Sequence, residues 1–390
     1  MKILLSTIFE YPHEGGLSTH VATLKNGLEA LGHQVDVLSF TDLNPLVRKA
    51  YAQAPGFIAS KIKPGSGQLM NDQNRMTLIH KELIKLKGNY DVVNTQDVYA
   101  TLAAEGTGIP VVETVHGYYS FEAISRGAIA EGSKEDITVR EREKSAYTLA
   151  DEVVTVDQRI KDYVKSMSGV EATAIKNFID VEDFDPGKLD LSGIREEFGI
   201  PRDKKMLFVP RRMTEKNGVI YPTLALRKVL DRHPDTVLVY AGTGEQMPAI
   251  KKEVEQQGLE GDVLFLGTVP HEKMKYLYGT SDVVLVPSVH SYGVEEATSI
   301  SALEAMGSRS PVIAGAVGGL KEIIEHEKYG LLVTEKDVDG LSEAILKVLD
   351  SPTFAEQLAR NARTKIEQMY SHHSAAARFE EIYMKAANKA

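Results

Sequence analysis

The same opening occurs twice in this chain. Residues 1–7, MKILLST, form an apolar, strand-like run, and a loop ending in Gly15-Gly16 follows. Leu17, Val21, Leu24, Leu28 and Leu31 then recur at helical spacing before Gly32 ends the helix and QVDVLSF resumes as a strand. From Met206 the order restarts: the strand MLFVPRR, the loop MTEKNG, a helix over 219–233 and the strand TVLVYAG. Each is a βαβ opening, and two of them predict an α/β protein of two doubly wound domains. A length of 390 residues agrees, being too long for one ordinary core.

The second half continues as VLFLG, HEKMKYLYG, DVVLVPS, a loop and helix from EEATSISALEAMG, the strand PVIAG, a helix from Leu320 and the short strand GLLV. Three helical segments close the chain, at 337–350, 353–370 and 372–388. The stretch 43–75, with Pro45, Pro55, Pro64 and several glycines, reads as irregular surface structure. Asp, Pro and Gly cluster in DVEDFDPGKLDLSG, residues 180–193. The expected domains are therefore 1–185 and 186–370, with 371–390 as a final helix.

Composition excludes several classes of protein. With 43% hydrophobic and 26% charged residues the chain is globular, and a net charge of -10 argues against nucleic acid as the main partner. The absence of cysteine rules out disulfides, thiolate metal sites and cysteine nucleophiles. ILLSTIF lacks a following small-residue cleavage pattern and reads as a buried strand, and no run approaches the roughly 18 apolar residues of a membrane span. A cytoplasmic location, with or without contact at the inner membrane face, is expected.

The motifs point to a diphosphate. A dinucleotide fingerprint is missing: IFEYPHEGG has no G-x-G-x-x-G, and AGTGEQM places Met247 where the third glycine should stand. Gly15-Gly16 at a helix start would let backbone N–H groups approach an anion, although a glycine pair also simply shapes a turn. Arg211, Arg212 and Lys216 lie in the loop leaving the first strand of the second half, at the strand ends where open α/β sheets bind ligands. In EEATSISALEAMG the helix should begin near Thr298 or Ser299, leaving Glu296 in the loop before it and Glu304 about two turns in. Eight residues at helical rise span about 12 Å, roughly the distance from ribose to sugar in an extended nucleotide sugar. Carboxylates at that spacing accept from hydroxyls at both ends, while the free N–H groups of the helix start meet the diphosphate between.

These parts, in this order, resemble the retaining, GT-B-fold glycosyltransferases of family 4. The resemblance runs through EYPHEGGLSTHVATLKNGLEALGHQVDVLS, VVETVHGYYS, ADEVVTVD, IKNFIDVEDFDP, VPRRMTEKNGV, VLVYAGTGEQ, VLFLGTVPHEKM, SDVVLVPS and LEAMGSRSPVIAGAVGGLKEII. It implies two Rossmann-like domains facing across a cleft, an N-terminal one for the acceptor and a C-terminal one for the nucleotide-sugar donor, with the last helix crossing back to the first domain. It also implies Glu296 at the sugar, Glu304 at the ribose, and Arg211 and Lys216 on the diphosphate. Gly15 and Gly16 would close on the phosphate, His116 would reach the transferred sugar, and Val269 would meet the nucleobase by its backbone. Gly242, Thr298, Ser299 and Ile300 complete the expected donor contacts, and His116, Glu296, Arg211 and Lys216 the expected catalytic set.

The implied reaction is retaining transfer of a hexose or N-acetylhexosamine from a nucleotide sugar, UDP-linked by first choice, to a hydroxyl on a glycan, lipid-linked or small-molecule acceptor. No cofactor and no metal are expected: Arg211, Lys216 and the helix start are aimed at the charge growing on the leaving phosphate. The pairs Asp183–Asp185 and Asp337–Asp339 read as linker and capping acids. Two departures stand out. Ala297-Thr298-Ser299 replaces the Gly-Phe-Gly-like stretch of many members, and Asn217 separates Lys216 from Gly218. The first keeps a second reading open, a catalytically weak protein binding a nucleotide sugar in a regulatory or assembly role.

Acceptors are expected near Tyr118, Tyr119 and the basic region 44–90, where eight Lys or Arg face only Asp72 and Glu82. That region reads either as a solvated helix face or as a surface for anionic lipid, a peripheral membrane contact.

Overall fold

The computed structural model describes residues 1–13, 16–62, 66–125, 127–291 and 298–389. They form two compact units, Met1–Asn177 with His372–Ala390, and Phe178–Ser371.

The first unit holds β1 (Lys2–Ser6), β2 (Gln34–Leu38), β3 (Val92–Thr95), β4 (Val111–Val115), β5 (Glu152–Thr155) and β6 (Thr173–Ala174). They pair in parallel in the order β2-β1-β3-β4-β5-β6. Parallel strands need crossover helices, which cover both faces, so β3 and β4 are buried at every residue. Strand order reverses between β1 and β3, and the loops leaving those strands diverge to open a crevice there.

The helix His372–Ala387 belongs to this unit, with Ala376, Phe379 and Tyr383 buried. It approaches the helix Gly16–Ala30 so closely that a Cβ on Gly27 would lie 2.6 Å from the His372 carbonyl oxygen.

The expectation of irregular structure over 43–75 is corrected. A short helix Pro45–Val47, a π-turn Arg48–Gln53 and the helices Ala54–Ile62 and Ser66–Lys85 occupy this region. Pro45 sits at a helix start capped by Asn44, whose side chain accepts from Leu46 N–H. The π-turn carries the chain into Ala54, whose N–H reaches the Lys49 carbonyl. Pro55 follows directly, so the helical run from Arg48 to Ile62 passes through a proline that a loop reading would treat as a break. Gly56 is a packing residue, since a Cβ there would meet Asn71 Cβ and the Gly67 carbonyl oxygen, both at 3.0 Å.

The second unit holds β7 (Lys205–Pro210), β8 (Thr236–Ala241), β9 (Val263–Phe265), β10 (Val283–Val286), β11 (Val312–Gly315) and β12 (Leu331–Val333), all parallel, in the order β12-β11-β10-β7-β8-β9. Here the order reverses between β7 and β10. Ile179, Val181 and Phe184 pack into this unit's core. Arg363 ties their segment down by donating to the carbonyls of Val181 (2.9 Å) and Gly307 (2.6 Å). The Asp- and Pro-rich stretch after Asn177 is thus built into the second unit by the apolar residues between its acids.

The helices Val338–Asp350 and Pro352–Met369 precede the last one, and Asp337 caps the first of them by accepting from Gly340 N–H at 2.8 Å. Among the described residues no helix is long and apolar enough to cross a membrane.

Candidate functional site

The reversal between β7 and β10 gathers the cationic motif. Arg211 follows the last residue of β7 and is buried, so its guanidinium must find oxygens inside the protein. One terminal nitrogen donates to Asn217 Oδ1 (2.5 Å) and Ser288 Oγ (3.0 Å), the other to Ser299 Oγ (3.1 Å). These oxygens come from the loop after β7, the loop after β10 and the residue before the helix Ile300–Gly307, and all three are neutral. These three bonds fix the guanidinium in position.

Asn217, which the sequence presents as an interruption of the Lys-Gly pair, is a buried clamp. Its amide accepts from Arg211 and donates to the Arg212 carbonyl at 2.7 Å. Lys216 sits on the 3₁₀ turn Glu215–Asn217, its carbonyl accepting from Val289 N–H (2.9 Å). Its side chain is exposed and makes no ion pair among the described residues. Arg212 is exposed as well. Gly242, just past β8, lies against this loop: with φ +142°, a Cβ there would stand 2.2 Å from the Arg211 carbonyl oxygen.

Ser299 occupies the N-cap position of the helix Ile300–Gly307, where the sequence predicts the start. Its hydroxyl makes no capping bond to that helix and accepts from Arg211 instead, so no side chain of the cap residue satisfies the first N–H groups. Thr298 and Ser299 are buried and Ile300 half-buried. Glu296 lies outside the described residues.

Glu304 is the fifth residue of the helix, little more than one turn in instead of two. Its buried carboxylate accepts from His271 Nε2 (3.0 Å) and from the Tyr278 hydroxyl (2.8 Å), both on the helix His271–Thr280. Neither partner was picked out from sequence; His271 lies 33 residues away with no local pattern to join them. Val269, two residues before His271, is half-buried at the margin of the core.

The hydrogen bond it donates to Glu304 raises the pKa of His271 above its ordinary 6.5, outweighing desolvation. A raised value in the folded state means that the pairing stabilises fully below about pH 6.5 and is lost as pH rises through the raised value. Because the His271 side chain is 55% exposed, the gain is small, under about 1 kcal/mol. Thermal melts between about pH 5 and 8 should show wild type losing stability with rising pH relative to His271→Gln. Parallel curves would dissociate His271 from Glu304.

In the first unit, Gly16 begins the helix Gly16–Ala30 and is exposed, while Gly15 lies outside the described residues. His116 follows β4. Its Nε2 lies 2.9 Å from Gln96 Oε1, and the His20 ring packs against the His116 ring in a T-shaped pair with centroids 4.6 Å apart. Burial pushes its pKa down to about 4, so the imidazole is neutral near pH 7.

A cavity of about 260 Å³ opens here, its wall including His13, Gln96, Asp97, Glu113, His116 and Tyr119. Asp97 caps the helix Val98–Ala103 through Ala100 N–H (2.8 Å) and accepts from the Thr7 hydroxyl (2.8 Å). Burial raises its pKa and raises that of Glu113 further. Tyr119 reaches the cavity wall, with its hydroxyl donating to Asp72 (2.8 Å). Tyr118 turns into an aromatic group with Tyr163, centroids 4.9 Å apart, and does not line the cavity.

Two parallel sheets, each with a reversal point, define the GT-B class, and the second carries a buried arginine at its reversal. Comparison with known proteins agrees with that class. Residues 14–183 match the model for Glycosyltransferase Family 4 and residues 192–365 the model for glycosyl transferases group 1. The chain is 30% identical to an uncharacterized glycosyltransferase of Methanocaldococcus jannaschii over 98% of both chains, and 27% identical to a glycogen synthase of Mycobacterium tuberculosis over 99% of this chain and 95% of that one.

Among solved structures, sucrose-phosphate synthase from Thermosynechococcus elongatus superposes with a TM-score of 0.74 at 19% identity, covering 100% of both chains. Anabaena HepE, in complex with UDP and glucose, superposes with a TM-score of 0.69 at 18% identity, covering 98% of this chain and 99% of that one. The chain belongs to the family 4 glycosyltransferases.

Proposed function

We propose that this glycosyltransferase moves a hexose or N-acetylhexosamine from a nucleotide sugar, UDP-linked by first choice, to a hydroxyl acceptor with retention of configuration. The observation that carries the reading is the fixed Arg211 guanidinium, with the start of the helix Ile300–Gly307, which the Ser299 side chain does not cap, reached through that same serine and the exposed Lys216 on the same loop. Charge grows on the leaving diphosphate as the sugar becomes oxocarbenium-like. Preorganised cations and N–H groups stabilise that charge without reorganising, so the residues present supply what a metal would.

The attacking hydroxyl approaches from the side the diphosphate leaves, and the diphosphate takes its proton. Glu296 at the sugar and Glu304 at the ribose complete the donor grip. In Glu304 the carboxylate already accepts from His271 and Tyr278, so a ribose hydroxyl adds to or displaces one of these bonds. On the first unit, His116 contacts the transferred sugar, and the cavity walled in part by Tyr119 takes the acceptor.

A thermal-shift panel of UDP, GDP and ADP sugars tests the donor, because a ligand binding only the native state at 100 times its Kd stabilises by about 2.7 kcal/mol. The UDP compounds should give the largest shift, with slow release of the free sugar when no acceptor is present. A larger response to GDP or ADP sugars would correct the base. Binding without turnover across an acceptor panel would favour a catalytically weak binding protein.

A further inference from the structure

Four polar side chains of the first unit form one unbroken hydrogen-bonded line ending at His116. The Tyr383 hydroxyl, on the helix His372–Ala387, donates to Asn94 Oδ1 at 3.0 Å. Gln96 Nε2 donates to the same oxygen at 2.7 Å, and Gln96 Oε1 lies 2.9 Å from His116 Nε2.

The direction of the line follows from one unambiguous acceptor. Asn94 Nδ2 lies 2.9 Å from the Val112 carbonyl oxygen and 2.8 Å from Thr114 Oγ1. A carbonyl can only accept, so the nitrogen of Asn94 must face it and the oxygen must face the other way. Gln96 must then present its nitrogen to Asn94 and its oxygen to His116. An amide oxygen can only accept, so the proton of a neutral His116 sits on Nε2. Nδ1, which has no hydrogen-bond partner among the described residues, is left as the acceptor nitrogen.

We infer that Gln96 is a positioning residue that fixes His116 as its Nε2–H tautomer, held in turn by Asn94 and by Tyr383 of the last helix. Both ring orientation and tautomer are set from behind the sheet edge, in a residue whose role at the sugar rests on the function proposed above. The ring then offers a lone pair, not an N–H, to a hydroxyl. Among the described residues, the other titratable groups in the same cavity wall or packed on the ring are His13 in the loop after β1, His20 on the helix Gly16–Ala30, Asp97, Glu113 on β4, and Tyr119 and Glu122 on the helix Tyr119–Ser125.

Long-range proton–nitrogen correlation spectra of the imidazoles test this without substrate. Wild-type His116 should show a single Nε2–H tautomer, and Gln96→Leu should convert it to a mixture or to Nδ1–H. If Gln96→Leu fails to fold, the isosteric Gln96→Glu serves: its carboxylate should hold His116 as the imidazolium to a higher pH than in wild type. An Nδ1–H tautomer in wild type, an unchanged tautomer in Gln96→Leu, or an unchanged titration in Gln96→Glu would overturn the inference. With UDP-glucose as probe, Gln96→Leu should lower the kcat of donor hydrolysis roughly tenfold, the worth of one oriented hydrogen bond, with KM little changed. Should no variant or wild type hydrolyse UDP-glucose, the donor reading fails while the spectra still decide the tautomer.

Discussion

Replacing Lys216 by alanine is expected to lower the rate of sugar transfer roughly 100-fold while leaving the melting temperature within about a degree of wild type. The side chain is exposed and pairs with no acid among the described residues, so no described residue loses a partner when it is removed. Its expected partner is the charge developing on the leaving diphosphate, and removing one such donor costs about 10²–10³ in kcat. Arg211 would be the less clean choice. Its replacement by alanine removes the shared donor of Asn217, Ser288 and Ser299 and loosens three loops together, so lost activity and lost packing would arrive in one measurement. A Lys216→Ala rate near wild type would remove the lysine from the reaction.

Gly218→Ala should have the largest effect on stability. Gly218 adopts φ +62°, and an added Cβ would lie 1.9 Å from the Pro287 carbonyl oxygen and 2.9 Å from its carbon. The Pro287 atoms it meets are backbone, so no rotamer change relieves the overlap. The left-handed conformation itself costs a non-glycine residue about 1–2 kcal/mol. Clash and strain together should reach roughly 3 kcal/mol or more, a fall in Tm of about 6–12 °C for a unit of this size.

Gly258→Ala separates the two contributions: Gly258 has nearly the same φ, +61°, with nothing within 4 Å of its added Cβ. It should cost only the backbone strain, about 1–2 kcal/mol. The loops joined at Gly218 also share the bond from Val289 N–H to the Lys216 carbonyl, so donor affinity should fall with stability. Equal melting temperatures for the two variants would contradict the close contact with Pro287.

The repeated βαβ opening was legible because burial on both faces forces parallel strands into apolar runs between amphipathic helices. The helix start at Ser299 was legible too, since a hydroxyl before an apolar periodic run marks an N-cap. What became of that hydroxyl was not. It accepts from Arg211, 88 residues earlier, and only the sheet order that brings β7 beside β10 makes them neighbours.

Proline and glycine misled over 43–75 because Pro45 in a first helical turn and Gly56 at a helix crossing are written with the same letters as a loop. Asn217 looked like an interruption because its function is to accept from a buried guanidinium six residues back. His271 and Tyr278 on Glu304, and Tyr383 on Asn94 across 289 residues, carry no spacing signal at all. The motifs point to the site; the buried contacts that hold those motifs in place are made by the fold.

A crystal structure of the protein with UDP bound measures the main assertion directly. The diphosphate oxygens should lie within hydrogen-bond distance of Arg211, Lys216 and the first backbone N–H groups of the helix Ile300–Gly307, with the ribose at Glu304. UDP bound elsewhere, with no diphosphate oxygen within hydrogen-bond distance of Arg211 and with Lys216 in solvent, would contradict it.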